Sequence, residues 1–322
     1  MKILLANPRG FCAGVRMAID ALELVLDRLG PPVYVFHEIV HNQHVVADFR
    51  RRGVVFVDSV QEVPPGEVLM YSAHGVSPEI REAARQRQLR TVDATCPLVT
   101  KVHLEAISLS KSGHILILIG HAGHDEVVGT IGEAPDAFHL VESIEDVERL
   151  DFSRQTPLAW MTQTTLSVSE TQRIVDRLKE RFPQIVGPRK DDICYATQNR
   201  QLAVRGLCEE AQAIVVVGSR NSSNSKRLRE TALQAGIASI LVDDSSELSA
   251  DDFRDYETIA ITAGASAPEA AVQDVVNWFV TQFDANVESR TFANEQQVFA
   301  MPKELATLEP EQRSFPIPTN KS

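Results

Sequence analysis

The chain has 322 residues, 43% hydrophobic and 24% charged, and its 32 Lys and Arg against 44 Asp and Glu give a net charge of −12. That length predicts two or three domains rather than one core. The acidic balance argues against nucleic-acid or anionic-membrane partners, which need basic surfaces. No run reaches the roughly 20 apolar residues of a membrane span, and "MKILLANPRG" lacks the apolar core of a secretory signal. The cytoplasm is the expected compartment, where disulfides are rare. Its four cysteines, Cys12, Cys96, Cys194 and Cys208, are therefore read as metal ligands, nucleophiles or core residues.

In chain order, apolar β-rich runs predict strands at 2–7, 32–36, 53–57, 67–73, 114–120, 157–162, 213–219, 238–242 and 258–264. Helix-like stretches at 14–29, 78–89, 98–112, 167–182, 196–212, 223–235 and 268–282 lie between them. The "LRTV" before Asp93 reads as the end of a helix. Such alternation predicts an α/β fold with parallel-rich sheets. Beyond Asp284 the pattern fades into a polar, proline-rich stretch, expected to wrap the surface or stay disordered.

Three of the cysteines share one local setting. "ANPRGFCAGVRMAID", "VDATCPLVTKVHLEA" and "KDDICYATQNRQLAV" each place the sulfur where a strand-like run turns into a helix. Pro97 fits the first position of such a helix, where no N–H is needed. His41, His124 and Ser222 follow Cys12, Cys96 and Cys194 by 28 or 29 residues, each in a polar loop. A second polar loop follows each time, at His74, Thr164 and Ser266. The chain thus reads as three copies of cysteine, helix, strand, polar loop, strand, polar loop. Ligands of open α/β sheets bind at the carboxyl ends of strands, so three units facing one axis bring three sulfurs and six polar loops to one centre. Cys208, on the apolar face of the helix 196–212, reads as a core residue.

A helix N-terminus favours negative charge and lowers a thiol pKa, so the three sulfurs predict a soft, electron-rich cup. Zinc and an iron–sulfur cluster are the soft-metal options. The locally paired cysteines of structural zinc sites are missing, and so is the tight four-cysteine run of ferredoxin-type clusters. Three thiolates on a cubane would leave one iron open as a Lewis acid.

The motifs "ANPRGFCAGV", "HNQHVV", "SAHGVS", "DATCPLVTKVH", "GHDEVVGT", "TQTTLS", "ICYATQNRQ", "GSRNSSNSKRL" and "TAGASAPE" together resemble the 4-hydroxy-3-methylbut-2-enyl diphosphate reductases of the methylerythritol phosphate route. The resemblance runs from about residue 1 to about 283. It implies three similar α/β domains in a pseudo-threefold trefoil around a 4Fe–4S cluster. Cys12, Cys96 and Cys194 match the cluster cysteines. The iron without a cysteine is labile, so a 3Fe–4S core is the expected product of its loss. The family reaction replaces the hydroxyl of an allylic diphosphate by hydrogen, using two electrons and two protons. A reduced ferredoxin or flavodoxin supplies the electrons, and the products are isopentenyl and dimethylallyl diphosphate.

The resemblance also implies roles. Glu126 is the acid, its pKa raised by burial. Thr164 relays a proton or orients the substrate oxygen, with His124 beside it. His41, His74 and His124 donate imidazole N–H groups to the diphosphate. Thr165, Ser222, Ser223, Asn224 and Ser266 add neutral donors, and the head of the helix 223–235 adds backbone N–H groups. Asn42 and Gln163 are candidate supports. An electron carrier, if acidic, would dock at a basic patch such as Arg50, Arg51 and Arg52. The expected domains are 14–96, 97–190 and 1–13 with 191–283, followed by a tail at 284–322. A zinc hydrolase and a non-catalytic cluster sensor or phosphate-binding module are the competing readings.

Overall fold

The computed structural model describes residues 1–308; the last part of the expected tail, 309–322, lies outside the described residues. In chain order come β1 (Lys2–Asn7), α1 (Ala13–Leu29), β2 (Val33–Phe36), α2 (Gln43–Arg51), β3 (Val54–Val57), β4 (Val68–Tyr71), α3 (Pro78–Gln86) and β5 (Arg90–Asp93). Next are α4 (Pro97–Lys111), β6 (Ile115–Ile119), α5 (Asp125–Gly132), β7 (Phe138–Val141), α6 (Ile144–Arg149), β8 (Leu158–Thr162) and α7 (Val168–Arg181). Then follow α8 (Tyr195–Leu207), β9 (Ala213–Val217), α9 (Ser223–Gln234), β10 (Ala238–Val242), β11 (Thr258–Ala263), α10 (Glu269–Phe283) and β12 (Asn286–Thr291).

The strands form three sheets, ordered β3-β2-β4-β5, β7-β6-β8 and β10-β9-β11-β1-β12. Every pairing between these strands is parallel. Parallel sheets are covered on both faces, so their central strands read as unbroken apolar runs. β9, "AIVVV", is buried at every position. The helices bury one stripe each: α7 turns Thr171, Ile174, Val175 and Leu178 inward, at spacings of three and four residues.

The three-strand cores β3-β2-β4, β7-β6-β8 and β10-β9-β11 correspond to one another in order and direction, which is the repeat visible in the sequence. The strand that leads to each cysteine belongs to the neighbouring sheet. β1 runs toward Cys12 from the third sheet, whereas α1 packs its Leu22 and Val25 on Val35 and Met70 of the first. β5 runs toward Cys96 from the first sheet, whereas α4 packs Val102 and Ala106 on Leu116 and Leu118 of the second. The chain before Cys194 touches the second sheet through a bridge of Val186 to Ala159, whereas α8 packs Val204 and Leu207 on Ile214 and Val216 of the third. Each cysteine is therefore delivered at a seam between units.

Some elements differ from the sequence reading. "RTVD" is the strand β5, not a helix end; it pairs only with β4, and its single buried residue, Val92, gives too weak a signal to read. β7 and β12 are likewise edge strands. β12 begins where the regular pattern was expected to end, and it pairs with β1 from Lys2–Asn286 to Asn7–Thr291. α2 and α5 are short helices that start inside the polar loops. Cys208 lies just past the end of α8 rather than inside it, half-buried against the core of the third unit.

Inside the third unit, one contact leaves no room for extra atoms. Ser225, fully buried at the start of α9, packs on Gly264 so closely that a Cβ on Gly264 would overlap the serine hydroxyl. Gly264→Ala is expected to destabilise the protein by about 1–3 kcal/mol through overpacking, read as a lower urea midpoint; an unchanged midpoint would show that α9 can retreat.

Candidate functional site

Cys12, Cys96 and Cys194 are the N-cap residues of α1, α4 and α8. Their backbone N–H groups make one repeated hydrogen bond. Cys12 donates to Ala265 O at 3.1 Å, Cys96 to Ala73 O at 3.0 Å and Cys194 to Thr164 O at 3.0 Å. Each acceptor immediately precedes a predicted anion-binding residue: Ser266, His74 and Thr165. The three thiols and all six polar loops line one cavity. Every catalytic, substrate-binding and thiol residue expected from the sequence lies on its wall, and the candidate supports Asn42 and Gln163 do not.

The thiols face one another closely enough for their charges to couple. Burial pushes Cys96 up to about 12, with Cys12 and Cys194 adding to the effect. Burial likewise pushes Cys194 up to about 11, with Cys12 adding to it. This corrects the expectation of lowered thiol pKa values. The helix-end N–H groups of Leu98, Val99 and Thr197 do act in that direction, but desolvation outweighs them. Three converging soft donors whose ionisation needs a cationic partner fit an iron–sulfur cluster. Gly14 gives these sulfurs their space: a Cβ there would lie 2.6 Å from Cys96 Sγ. Thr197 steadies a second sulfur, its hydroxyl 3.2 Å from Cys194 Sγ and its N–H donating to that sulfur at 3.4 Å.

Glu126 stands in the first turn of α5 and is 2% exposed. Thr164 donates to it twice, from its backbone N–H to Oε1 at 2.6 Å and from its hydroxyl to Oε2 at 3.0 Å. Burial raises the carboxyl pKa to about 7 against the pull of both hydrogen bonds. The group is thus poised to give up a proton near neutrality. Asp192, paired with Lys101 at 2.6 Å, adds a small upward push.

His41, His74 and His124 meet at one side of the cavity. His41 stacks on His74 with ring centroids 4.0 Å apart, and His124 stands edge-on to both at 5.4 and 5.9 Å. Burial holds His74 well below its ordinary pKa and lowers His124 to about 4. His124 also caps α5, its Nδ1 accepting the Glu126 N–H at 3.2 Å. Ser222 caps α9 by accepting the Ser225 N–H at 3.3 Å, and the Ser223 hydroxyl is buried without a hydrogen-bond partner. Asn224 accepts the Ala265 N–H at 2.8 Å and donates to Thr197 at 3.3 Å. Ser266 donates to His41 O at 2.9 Å. Gln163 donates to the Thr165 hydroxyl at 2.9 Å. Asn42 caps α2 by accepting the Val45 N–H at 3.1 Å. No lysine or arginine stands among the lining residues. Neutral donors meet on one wall, an arrangement that can bind an oxyanion without fixed cations.

The sequence reading missed three contributors. Thr197 carried a usable signal, since a threonine three residues after a capping cysteine can reach back to the sulfur. Asp125 and His37 carried none, because their 2.7 Å hydrogen bond joins loops of two different units. That contact raises His37 and lowers Asp125. Arg51 and Arg52, expected to form a basic docking patch with Arg50, are paired with Asp48 and Glu23.

Fold and site together define a pseudo-threefold α/β protein with one central site, where thiols, a buried acid and an oxyanion pocket meet. The chain belongs to the LytB protein family, whose model matches residues 3–280. It is 59% identical over 312 residues to a Rhodopirellula baltica protein named 4-hydroxy-3-methylbut-2-enyl diphosphate reductase, covering 97% of this chain and 98% of that protein. A Streptomyces coelicolor protein of the same name is 50% identical over 305 residues, covering 94% and 90%. The solved structure of the E-1-hydroxy-2-methyl-but-2-enyl-4-diphosphate reductase from Plasmodium falciparum superposes with a TM-score of 0.93 at 39% identity, covering 95% of this chain and 97% of that one.

Because both Thr164 contacts hold the Glu126 carboxyl down, Thr164→Val, which removes the hydroxyl alone, is expected to raise that pKa above about 7. Carboxyl titration by infrared or carbon NMR reads the shift; an unmoved or lowered value would show that the hydroxyl does not bond the carboxylate.

Proposed function

We propose that this chain is an iron–sulfur reductase that converts (E)-4-hydroxy-3-methylbut-2-enyl diphosphate to isopentenyl and dimethylallyl diphosphate with loss of water. The observation that carries the reading is the meeting of three capping thiols, Glu126 on Thr164 and three histidines in one cavity. Cys12, Cys96 and Cys194 would hold a 4Fe–4S cluster, or a 3Fe–4S core in its place. When bound, it would supply the two electrons and Lewis acidity toward the departing hydroxyl. Reduced ferredoxin or flavodoxin delivers the electrons.

The chain's own residues handle charge and protons. His41, His74, Ser222, Ser223, Asn224 and Ser266 bind the diphosphate with N–H and O–H donors from several units, and Thr165 contributes its hydroxyl from the Thr164 loop. This fixes the allylic end toward the thiols and Glu126. Glu126 then gives its proton to the leaving oxygen, while the Thr164 hydroxyl orients that oxygen and carries the proton over the last step. The oxygen leaves as water, the two electrons stay on the allylic carbons, and a second proton taken up at carbon completes either product. His124 holds the Glu126 backbone and so the direction of the acid. Closure of the cavity by neutral groups keeps bulk water from competing for the proton.

The units that carry the site are 14–96, 97–190 and 1–13 with 191–283. The pairing of β12 with β1 supports extending the third to Thr291. Among the described residues no helix is long and apolar enough to cross a membrane.

Glu126 must be protonated to act. Turnover is therefore expected to be full below about pH 7 and to fall as pH rises through that value. Glu126→Gln should lower kcat by roughly 10²–10⁴-fold and abolish this limb. An anaerobic assay with dithionite and a dye mediator checks both; a variant as active as wild type would exclude Glu126 as the acid. Protein purified anaerobically is expected to be brown and to hold iron and sulfide, and Cys96→Ser to hold much less. Zinc in place of iron would overturn the reading, and iron without turnover would favour a sensor.

A further inference from the structure

After β12 the chain runs on through residues 292–308, ending in a short 3₁₀ turn at Lys303–Thr307. None of the motifs shared with the reductases lies in this stretch, yet it is fastened at three places. The Phe292 ring lies so close to Gly206 of α8 that a Cβ on that glycine would overlap it. Glu295 accepts from Asn199 at 3.1 Å and pairs with Arg200 at 3.0 Å. Leu305 is buried in the first unit among α1 and its sheet, with Met301 and Leu308 packed beside it. The Arg28 guanidinium also bonds the Leu305 carbonyl. The stretch is thus a strap from the third unit to the first.

Between the second and third fastenings the strap crosses the back of the thiol cup. Gln296, Gln297 and Val298 are exposed, whereas Phe299 is half-buried. The Phe299 ring comes within 4.0 Å of the point where a Gly14 Cβ would sit, and that point is 2.6 Å from Cys96 Sγ. Ring and sulfur thus flank the same space beside the Gly14 Cα. Arg200 is fully buried and also donates to Gly10 O at 2.7 Å and Ala196 O at 2.9 Å. Gly10 stands two residues before Cys12, so the Arg200–Glu295 pair ties the strap to the turn that presents that thiol. Tyr195, directly after Cys194, feels both the Cys12 thiol and the Ala13 amide at the head of α1.

We propose that the 292–308 strap is part of the cofactor site: Phe299 seals the back of the thiol cup against water and dioxygen, and Glu295, through Arg200, positions the Gly10–Cys12 turn. The inference rests on the reductase reading. Outer partners of metal ligands commonly govern affinity by 10–100-fold. They do so by fixing ligand orientation and controlling solvent access to the site.

The test uses the full chain, loaded anaerobically and then opened to air, with cluster absorbance and released iron followed in time. Phe299→Ala and Glu295→Gln are expected to lose iron roughly tenfold faster than wild type, and Val298→Ala at the wild-type rate. Glu295→Gln should also change the electron paramagnetic resonance line shape of the reduced centre, which general loosening of the fold would not do. Urea unfolding of the iron-free proteins supplies the control. Iron loss at the wild-type rate in both variants overturns the proposal, and so does faster loss that merely tracks a lower urea midpoint. Should Glu295→Gln fail to fold, Phe299→Ala decides alone. Wild-type protein that holds no iron contradicts the reductase reading itself, whereas loaded wild type with unaltered variants contradicts only the strap.

Discussion

The structure depends on a hydrogen bond made three times. The amide of each capping cysteine donates to a strand-end carbonyl, at Ala265, Ala73 and Thr164. Each bond locks a thiol to the loop whose next side chain points toward the oxyanion pocket. One backbone contact per seam therefore places a thiol beside the start of a polar loop, and the parallel sheets lie behind the pair. Delivery of every cysteine by the neighbouring sheet makes the centre a property of all three units. No single unit could assemble it.

Charge at this centre is managed by burial rather than by fixed cations. Cys96 and Cys194 resist ionising because water is gone and the other thiols are near. Burial also raises Glu126 to about 7, so a large share of it stays neutral at neutral pH. His74 and His124 are neutral as well. The site alone thus carries little charge; under the proposed function, a cationic metal core and an anionic diphosphate enter it together. The ionised exception is Asp125, whose partner His37 comes from another unit. That pair clamps the first and second units beside the histidines, where a bare carboxylate would otherwise repel the diphosphate.

Much of this was legible from residues alone, and the rest was hidden for definable reasons. Turns such as "DATCPLVTKVH" show their cysteine because a strand-like run, a proline at the first helical position and a polar loop at matched spacing all agree. The central strands were plain because both faces are buried. β5, β7 and β12 were hidden because each buries one residue or none, whereas the legible edge strands β3, β8 and β10 bury two or more. α2 and α5 were masked by the polar residues that cap them. The direction of the thiol pKa shifts was misread because a helix end is visible in sequence and burial is not. The Arg200–Glu295 contact and the His37–Asp125 contact join residues 95 and 88 positions apart, which no local pattern can announce.

The central claim is that sulfurs from three seams grip one inorganic centre. The most direct measurement is anomalous diffraction at the iron edge from crystals grown without oxygen. The account predicts one compact iron signal bonded to Sγ of Cys12, Cys96 and Cys194. A signal at the zinc edge instead, or iron bound away from any of these three sulfurs, would contradict it.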